Sequence, residues 1–584
     1  MITSKTDYTH YPFRFRNETP DHEACRELSK ELDIPYILSV LLWQRGIKTG
    51  KIASTFLNPQ LAELSSPFLM KGMQEAVDLV IKANNEQWPV FVHGDYDVDG
   101  ISGTALLAQF FRTIRMDPVC YQPDRLTEGY GLQKTFIRKY APSTGQALLI
   151  TVDCGISAND EVKLAREMGY SVIITDHHEP PEILPDANAI LNPKQDGCGF
   201  SGEELAGVGV AFFLAMGVRN MMVQQGIVLK NNAPNLKLLL DLVALGTVAD
   251  VVPLTGINRI LVKAGLEVMN TRRSPWIWAL SERARIYGEK MTPEDISFRL
   301  SPRINAPGRL GKPELSFELL ACNNTVRASE LAELLEKNNK KRRQIVNNSL
   351  DFVLKECAVQ EKAGCRGFVV HGQFHPGVIG ILASRIVDQF HKPIIILTDD
   401  VSGANSLKGS GRSVEGVNLF NILKNCAGSI TQFGGHAMAA GLTLMKDNLS
   451  EFRESFNMSI PETVEILEQA SSDLVIDYCL SDEEVIDKNF IHSYQYLEPF
   501  GNGNHEPVFL LKKVKMDNAS TVHDHLKYSF KINNRVYRGI GFGMSDKLSL
   551  VRNESVQLAF KVKNYVFKGK ERTEMHAVNI MPTP

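Results

Sequence analysis

The 584-residue chain is too long for one hydrophobic core, and its length predicts roughly three or four domains. Apolar residues make up 43% and charged residues 22% of the chain, as in an ordinary soluble globular protein. The net charge of −3 gives no indication of a nucleic-acid partner. No apolar run approaches the roughly 20 residues of a membrane span.

The nine cysteines form no CxxC pair and no zinc-finger spacing. An odd number without a regular framework favours reduced thiols over disulfides or structural zinc. Residues 1–16 are polar and aromatic and contain no apolar signal-peptide core. We therefore predict a cytoplasmic protein, and the lack of a heptad seam predicts a monomer.

In chain order, residues 1–85 read as a mostly helical lead-in. From 88 to 193, short β-branched runs alternate with helical spacing, which predicts a doubly wound α/β unit. Residues 236–252 form a strongly apolar, helix-like segment. Residues 325–357 have helical periodicity without Gly or Pro, which predicts a long helix that could bridge two domains.

A second α/β pattern follows, with predicted strands at 366–370 and 393–397 and a helix at 378–389 between them. The stretch 451–490 has 11 acidic and 2 basic residues and is predicted to be a linker with one or two helices. Residues 506–584 carry 14 basic and 7 acidic residues, with alternating aromatic and polar positions that predict a small β-barrel.

Three acidic or histidine-bearing clusters each end an apolar run of the first α/β unit, at 93–100, 153–155 and 175–178. Ligands of open α/β sheets gather at the carboxyl ends of such strands. Alternate residues face the same side of an extended strand, so the side chains of the first cluster can converge: His93, Asp95, Asp97 and Asp99.

This mixture of carboxylates and imidazoles without thiolates suits Mn²⁺ or a similar divalent ion better than zinc. Two ions about 3.5–4 Å apart, bridged by one carboxylate, would catalyse in-line phosphoester hydrolysis. Taken singly, Asp153 is equally consistent with a helix cap, and His177 and His178 with core packing.

The motifs around these residues resemble those of the DHH phosphoesterase superfamily. They read HGDYDVDG from His93, VDCG from Val152, DHH from Asp176 and GTVAD from Gly246. Further motifs resemble the RecJ family of bacterial single-strand-specific 5′→3′ exonucleases: YQPDRLTEGYG from Tyr121, SPRINAPGR from Ser301, GSGRS from Gly409, GGH from Gly434 and LEPFGNGN from Leu497. Phe374 stands where this family would have Trp, and we interpret that position as packing.

The resemblance implies a multidomain α/β protein with a doubly wound DHH domain, a smaller α/β DHHA1-type domain and a C-terminal OB-fold β-barrel. The expected boundaries are an N-terminal lead-in at 1–55, the DHH catalytic domain at 56–320, a long connecting helix at 321–360, the DHHA1-type domain at 361–448, and the linker and OB-fold at 449–584.

The resemblance also implies the catalytic residues. One Mn²⁺ would be held by His93, Asp97 and Asp153, and the second by Asp99, Asp153, His177 and Asp250, with Asp153 as the bridging ligand. Mg²⁺ is the alternative ion. Asp95 and Asp176 would orient the ligands, and His178 would face the scissile phosphate, so that the expected catalytic set is His178, Asp153 and Asp95.

A 5′-exonuclease must also recognise the end of its strand. Ser410, Gly411 and Arg412 read as a short Gly-flanked loop that suits a phosphate, and residues 303–309 read as an exposed, Pro/Gly-broken loop. By the resemblance, the 5′-phosphate and DNA would be bound by Arg125, Asn305, Arg309, Ser410, Arg412 and His436.

The expected function is therefore Mn²⁺-dependent 5′→3′ degradation of single-stranded DNA to 5′-mononucleotides, in DNA repair and recombination. A helicase and a single-strand-binding protein are the expected partners, and the basic tail is expected to grip the strand. The main alternative is a DHH phosphodiesterase of short oligonucleotides or cyclic dinucleotides. A non-catalytic scaffold and a pyrophosphatase are further alternatives.

Overall fold

The computed structural model describes nine segments of the chain: 13–16, 20–142, 145–200, 202–287, 290–400, 405–461, 474–481, 486–567 and 570–583. The predicted helical lead-in is confirmed within the described residues, since helices span His22–Leu32, Tyr36–Trp43, Gly50–Leu57 and Met73–Asn85. A short strand, Phe13–Phe15, pairs in parallel with Leu474–Ile476.

The first sheet contains five parallel strands. In spatial order they are Val119–Tyr121, Val90–Gly94, Ala147–Val152, Tyr170–Thr175 and Ala189–Leu191. The chain order across the sheet is thus 2-1-3-4-5, so the strand sequence reverses between the first and third strands. This confirms the predicted doubly wound unit and places its switch point, where such folds bind ligands, beside the first acidic motif.

Helices cover both faces of this sheet. They are Val98–Thr113, Lys134–Lys139, Asn159–Glu167 and Gly207–Gln224, followed along the chain by Leu240–Ala249, Gly256–Asn270 and Pro275–Ala284. By length and composition Gly207–Gln224 is long and apolar enough to cross a membrane, but 67% of it is buried in this domain. That burial is typical of a core helix.

The prediction of an exposed loop at residues 303–309 is wrong. A π-helical turn, Ile296–Leu300, continues into the helix Ser301–Arg309. Pro302 lies in the first turn, where its missing N–H is tolerated. Ile304, Ala306 and Pro307 are buried in the domain, and this burial outweighs the low helix propensity of proline in the last turn. The helix Glu314–Leu320 follows.

The predicted bridging helix is confirmed and spans 38 residues, Thr325–Lys362. Its first half packs Leu331 and Leu335 into the core of the first sheet. Its second half packs Val346 and Val353 into a separate core beneath the second sheet. One helix therefore belongs to two hydrophobic cores and connects them.

The second sheet is mixed, with the spatial order Gln432–Gly435, Ala439–Met445, Ser406–Arg412, Ile394–Asp399 and Phe368–His371. Its helices are Ile379–Phe390, Leu419–Asn425 and Leu449–Ser459. Phe374 is buried against the ring of Phe352, in agreement with a packing role.

The prediction of a loop at Ser410–Arg412 is also wrong, because these residues end the strand Ser406–Arg412. Gly409 and Gly411 face the core, where a Cβ atom on Gly411 would lie 2.5 Å from Cδ1 of Ile395. Strand alternation therefore turns Ser410 and Arg412 to the opposite face.

The C-terminal sheet has seven strands. In spatial order they are Tyr478–Leu480, Phe509–Val514, Val556–Phe567, Lys570–Pro582, Arg535–Gly541, His525–Ile532 and Met516–Val522. Helices Lys488–Gln495 and Leu548–Asn553 pack against it. The aromatic side chains of Tyr528, Phe530 and Phe560 are buried in the hydrophobic core of this domain, so they are not exposed to stack on a nucleic-acid strand. Much of the acidic linker, at 462–473 and 482–485, lies outside the described residues.

Candidate active site

The first acidic motif lies where strand Val90–Gly94 passes into helix Val98–Thr113. Asp97 caps that helix, because its Oδ1 accepts the backbone N–H groups of Asp99 (2.9 Å) and Gly100 (3.2 Å). The turn is so tight that a Cβ atom on Gly100 would lie 2.6 Å from the amide nitrogen of Asp95. Asp95 and Asp97 are thereby turned toward the end of the next strand.

Asp99 is buried in the first turn of the same helix. Its carboxylate accepts the backbone N–H groups of Gly207 (2.6 Å) and Val208 (2.9 Å), at the start of helix Gly207–Gln224. Burial, followed by the neighbouring Asp97, raises the pKa of Asp99 to about 7. The two amides fix the direction of the Asp99 carboxylate, and the helix N-terminus favours its negative charge.

Asp153 follows the central strand Ala147–Val152 in a left-handed conformation with φ +60°. This conformation is uncommon for a residue with a side chain and is often found at functional sites. Its Oδ1 lies 3.1 Å from Nε2 of His177 and has no protein hydrogen-bond donor. Burial, followed by the charges of four surrounding carboxylates, raises the pKa of Asp153 well above its usual range.

His177 connects Asp153 to two further carboxylates. Its Nε2 lies 3.7 Å from Oδ2 of Asp250, which ends helix Leu240–Ala249, and 4.0 Å from Oδ2 of Asp99. Burial lowers the pKa of His177 to about 3. The ring is therefore neutral, so these contacts are not ion pairs, and a neutral imidazole nitrogen is free to act as a metal ligand.

Asp176 orients the histidine motif. Its Oδ1 accepts the backbone N–H groups of both histidines and Nδ1 of His178 (2.7 Å), and its Oδ2 accepts the N–H of Ile156 (2.9 Å). The pKa of Asp176 is lowered, because the hydrogen bond and charge of His178 outweigh the effect of burial. The pKa of His178 is raised by the same contact. His178 is therefore held through Nδ1, and its Nε2 makes no hydrogen bond to the described residues.

The arrangement fits divalent cations. Three groups each bring their ligand atoms within 4.8 Å of one another: Asp95, Asp97 and Asp153; Asp99, His177 and Asp250; and Asp153, His177 and His178. Several buried nitrogen and oxygen atoms that could ligate a metal have no hydrogen-bond partner among the described residues: both ring nitrogens of His93, Oδ1 of Asp95, Oδ1 of Asp153 and Nε2 of His177. Such unpartnered buried atoms are costly unless something binds them. The pKa of Asp250, raised to about 9 by burial and nearby carboxylates, points the same way.

An arginine cluster borders this carboxylate cluster. Arg125 stacks on Tyr96, with its guanidinium carbon 5.0 Å from the ring centroid. Nη1 of Arg309 donates to the carbonyl of Gly377 in the second α/β domain (3.3 Å). The pKa of Arg309 is lowered to about 9 by burial and then by the charges of three other arginines: Arg125, Arg342 and Arg412. These guanidinium groups come from the turn after strand Val119–Tyr121, the helix Ser301–Arg309, the long helix and the second sheet.

Two further predicted DNA-binding residues make no hydrogen bond to these clusters within the described residues. His436 is exposed in the hairpin that joins Gln432–Gly435 to Ala439–Met445, and Asn305 is half-buried on its helix. Neither side chain has a hydrogen bond to the carboxylate or arginine clusters within the described part of the chain. The charges that act on Arg309 and Arg412, and the contact of Arg412 with Ser410, bring together Arg125, Arg309, Ser410 and Arg412. Asn305 lies one helical turn before Arg309, and the positions of Asn305 and His436 do not test their predicted contact with DNA.

Sequence reasoning missed two residues of the site. Tyr130 donates from its hydroxyl to the carbonyl of Asp153 (3.1 Å) and lies 3.4 Å from Nδ1 of His178. It belongs to the motif at 121–131, but its spacing there gave no indication of this contact. Arg342 lies within the charged run of the long helix, where a solvated surface is the usual outcome, and its Nε is buried without a partner.

Comparison with known families identifies this site. Residues 89–247 match the model of the DHH family N-terminal domain, 364–462 that of the DHHA1 domain, and 476–579 that of the RecJ OB domain. The fold and site thus define a DHH phosphoesterase. The single-stranded-DNA-specific exonuclease RecJ of Escherichia coli is 35% identical over 574 residues, 95% of this chain and 98% of that protein. The chain belongs to the RecJ family of single-stranded-DNA-specific exonucleases.

Two further comparisons agree. The RecJ exonuclease of Bacillus subtilis is 35% identical over 93% of this chain, which spans 65% of that protein's length. The crystal structure of RecJ from Thermus thermophilus in complex with Mn²⁺ matches with a TM-score of 0.79 and 26% identity, over 98% of this chain and 80% of that chain. A structure of RecJ from the same source in complex with Mg²⁺ matches with a TM-score of 0.71.

Proposed function

We propose that the protein degrades single-stranded DNA from its 5′ end to 5′-mononucleotides with two Mn²⁺ ions, and that Mg²⁺ is the alternative ion. The observation that carries the proposal is the convergence of unpartnered carboxylate and imidazole atoms beside an arginine cluster. Hydrolysis of a phosphodiester favours the combination of metal ions and guanidinium groups, because both stabilise negative charge on the phosphate oxygens. The related structures with Mn²⁺ and Mg²⁺ support the choice of ions.

The proposed ligands of one ion are His93, Asp97 and Asp153, and those of the other are Asp99, Asp153, His177 and Asp250. The support is that His177 lies between Asp153 and Asp250, and that both ring nitrogens of His93 are buried without a partner. Asp95 and Asp176 are proposed to orient these ligands. When bound, the two ions polarise the phosphodiester and stabilise the charge that develops on its oxygens.

His178 is proposed to donate a hydrogen bond to the scissile phosphate. Its Nδ1 is held by Asp176, which leaves Nε2 to the substrate and keeps the imidazole in one orientation. The raised pKa of His178 favours its protonated, donating form. In the hydrolysis, the oxygen of water joins phosphorus and the bond to the 3′-oxygen of the terminal nucleotide breaks. The remaining strand keeps a new 5′-phosphate.

The 5′-phosphate is proposed to bind between Arg309, Ser410 and Arg412, with Arg125 nearer the ions. After burial, the charges that lower the pKa of Arg309 are those of Arg125, Arg342 and Arg412, and the charge that lowers the pKa of Arg412 is that of Arg125. Buried guanidinium groups that repel one another favour an anion between them. Asn305 and His436 stay predictions as DNA contacts.

The C-terminal domain is proposed to hold the single strand. Its match to the RecJ OB domain supports this role, as do exposed basic side chains on strands His525–Ile532 and Arg535–Gly541. Tyr565 and Phe542 are partly exposed and could stack on bases, whereas most of the domain's aromatic residues form its core. The likeness to relatives that act on DNA also favours this function over the dinucleotide phosphodiesterase.

For the cell, we propose a cytoplasmic monomer that acts in DNA repair and recombination. An enzyme that requires single strands depends on another protein to open duplex DNA. A helicase is therefore the proposed source of the substrate, and a single-strand-binding protein the proposed partner that keeps the substrate open.

The proposal is tested by digestion of 5′-phosphorylated, 3′-labelled single-stranded DNA with Mn²⁺, beside a matching duplex and a dinucleotide. We expect stepwise shortening of the single strand from its 5′ end, with no shortening of the duplex and none by Asp153→Ala. Hydrolysis confined to the dinucleotide would contradict the exonuclease in favour of the small phosphodiesterase.

The phosphate site is tested by Arg412→Ala. Loss of a charged contact to a phosphate should lower kcat/KM for 5′-phosphorylated DNA by about 10- to 100-fold, at roughly 1.5–3 kcal/mol for a hydrogen bond to a charged group. The rate with 5′-hydroxyl DNA should change far less. Arg343→Ala, an exposed arginine on the long helix, is the matched control. Equal losses with both substrates would exclude a 5′-phosphate site here.

A further inference from the structure

We infer that Asn502, in the C-terminal part of the chain, positions the Asp250 carboxylate and thereby sets the affinity of one metal subsite. The inference rests on the proposed function, in which Asp99, His177 and Asp250 hold one of the two ions. Among the described residues, the hydrogen bonds of Asn502 go to Val251 and Leu254 and not to these side chains. Asn502 acts on the backbone segment that follows Asp250.

That segment has an unusual conformation. Asp250 ends its helix with its N–H bonded to the carbonyl of Gly246, and the next residue, Val251, is left-handed with φ +63°. β-Branched residues rarely adopt this conformation. Val251 is also 64% exposed, so burial of its own side chain does not hold it there. Another contact must keep the chain in this turn beside the cluster.

The Gly-Asn-Gly tip at residues 501–503 supplies that contact. The side-chain amide of Asn502 donates to the carbonyl of Val251 (2.7 Å), and the backbone carbonyl of Asn502 accepts the N–H of Leu254 (2.8 Å). The glycines permit this approach, because a Cβ atom on Gly501 would lie 2.6 Å from Cδ1 of Leu254. The tip therefore binds both ends of the turn that follows Asp250.

The tip is itself held rigidly. Arg259 is buried and donates to the carbonyls of Tyr496, Leu497 and Glu498 at the base of the tip. Its guanidinium also lies 3.8 Å from the ring centroid of Phe56. The buried Asn504 amide donates to the carbonyl of Leu497 (2.8 Å). Because these contacts hold the base of the tip in place, the hydrogen bond from Asn502 holds Val251 in place as well.

A displacement of the Asp250 carboxylate would weaken metal binding at one of the two ion positions only. Oδ2 of Asp250 lies 3.7 Å from Nε2 of His177, whereas the group of Asp95, Asp97 and Asp153 takes no ligand from this segment. Asn502 is therefore a positioning residue for the second ion. It makes the catalytic centre dependent on the docking of the C-terminal part of the chain.

The test measures Mn²⁺ binding to the metal-free, full-length protein by titration calorimetry, without DNA. We expect Asn502→Ala to weaken one of two Mn²⁺ sites by about tenfold, the lower range for removing a residue that orients a ligand. The other site should keep its affinity. Asn502 is exposed and its backbone bond to Leu254 remains in the variant, so we expect it to fold.

Two further variants isolate the route. The control variant Asn232→Ala replaces an exposed asparagine that is distant in sequence from Asn502, and it should bind Mn²⁺ as the wild type does. If Asn502 acts through Asp250, adding Asn502→Ala to Asp250→Ala should weaken binding no further than Asp250→Ala alone. Single-strand DNA affinity without metal should be unchanged in Asn502→Ala.

Unaltered Mn²⁺ affinity in Asn502→Ala, or additive losses in the double variant, would overturn the inference. A lower melting temperature with wild-type Mn²⁺ affinity would do the same, because it would leave Asn502 with a structural role alone. Absence of Mn²⁺ binding by the wild-type protein would instead contradict the proposed function, and the inference with it.

Discussion

At the scale of single residues, the site stores electrostatic repulsion that a bound cation would relieve. Asp99 and Asp250 have pKa values raised to about 7 and about 9, and burial is the largest cause at both positions. A metal-free cluster of this kind destabilises the fold, as is common where function and stability compete. The two histidines differ in charge, because burial keeps His177 neutral whereas Asp176 favours the protonated form of His178.

The role of His178 gives the first prediction. His178→Ala removes the donor to the scissile phosphate, so kcat should fall by about 10²–10⁴-fold, the range for a positioned proton donor. Mn²⁺ affinity should stay within a few-fold of wild type, since the proposed ligands remain. Single-turnover digestion and Mn²⁺ titration measure the two quantities, with His371→Ala in the second domain as control. A loss of Mn²⁺ affinity without a loss of kcat at saturation would make His178 a ligand instead.

At the scale of elements, the contact between helix Ser301–Arg309 and the turn Pro376–Val378 joins the two α/β domains. A Cβ atom on Gly377 would lie 2.0 Å from the carbonyl oxygen of Arg309. Gly377→Ala must therefore separate the two backbones and move Arg309. Displacement of a substrate-positioning group by about 1 Å can reduce the rate about 10²-fold.

We accordingly expect Gly377→Ala to lower kcat/KM for single-stranded DNA by about 10²-fold. Gly428→Ala is the matched control, because a Cβ atom there meets nothing within 4 Å. Steady-state digestion of the two variants under identical conditions makes the comparison. Wild-type activity in Gly377→Ala would mean that this junction does not position Arg309.

The helix Leu240–Ala249, which ends at Asp250, carries a buried carboxylate with its own pH dependence. Asp241 accepts hydrogen bonds from Ser274 Oγ (2.6 Å) and from the N–H of Leu242 (2.8 Å). Burial nevertheless raises its pKa from 3.8 to about 6. Because the folded pKa is raised, the carboxyl costs no stability below its unfolded pKa, and the cost grows as pH rises through about 6.

Asp241→Asn should therefore become more stable relative to wild type as pH rises from about 4 to 8, with a limit of about 3 kcal/mol for a shift of this size. Urea denaturation in the presence of a chelator, followed by tryptophan fluorescence, measures the difference at each pH. Subtracting the wild-type value cancels the other titrating groups. A difference that is constant with pH would contradict the raised pKa.

At the scale of the whole molecule, two structural connections join the domains. The long helix joins the cores of the two α/β domains, and the tip at 501–503 connects the C-terminal domain to Val251. The predicted boundaries of these domains, such as 56–320 and 361–448, stay predictions. The ties between them indicate that the first α/β domain and the C-terminal domain are not independent modules.

The basic face of the C-terminal sheet gives the prediction at this scale. Lys527 and Arg538 are exposed on neighbouring strands. Replacing both by Ala should reduce the slope of log K against log salt by about 1.4, at roughly 0.7 for each single-strand phosphate that is no longer neutralised. Fluorescence anisotropy with a labelled oligonucleotide in chelator measures the slope, with Lys230→Ala/Lys237→Ala as control. An unchanged slope would place the strand on another surface.

The sequence by itself determined the first sheet and the carboxylates at its edge, because apolar runs that end in Gly and Asp specify buried parallel strands locally. It also determined the long helix, whose periodicity is unbroken by Gly or Pro. It failed at Arg303–Arg309 and Ser410–Arg412, where burial and pairing between distant segments override the low propensity of Pro and Gly for regular structure.

Only the tertiary structure decided which atoms meet. The contact of Asp99 with Gly207 spans 108 residues, and that of Asn502 with Val251 spans 251. No local pattern marks such contacts, because they arise from the packing of whole elements. The same reason applies to the aromatic residues of the C-terminal sheet. Their alternation correctly indicated strands, but which face is buried depends on the curvature of the sheet and on the helices that cover it.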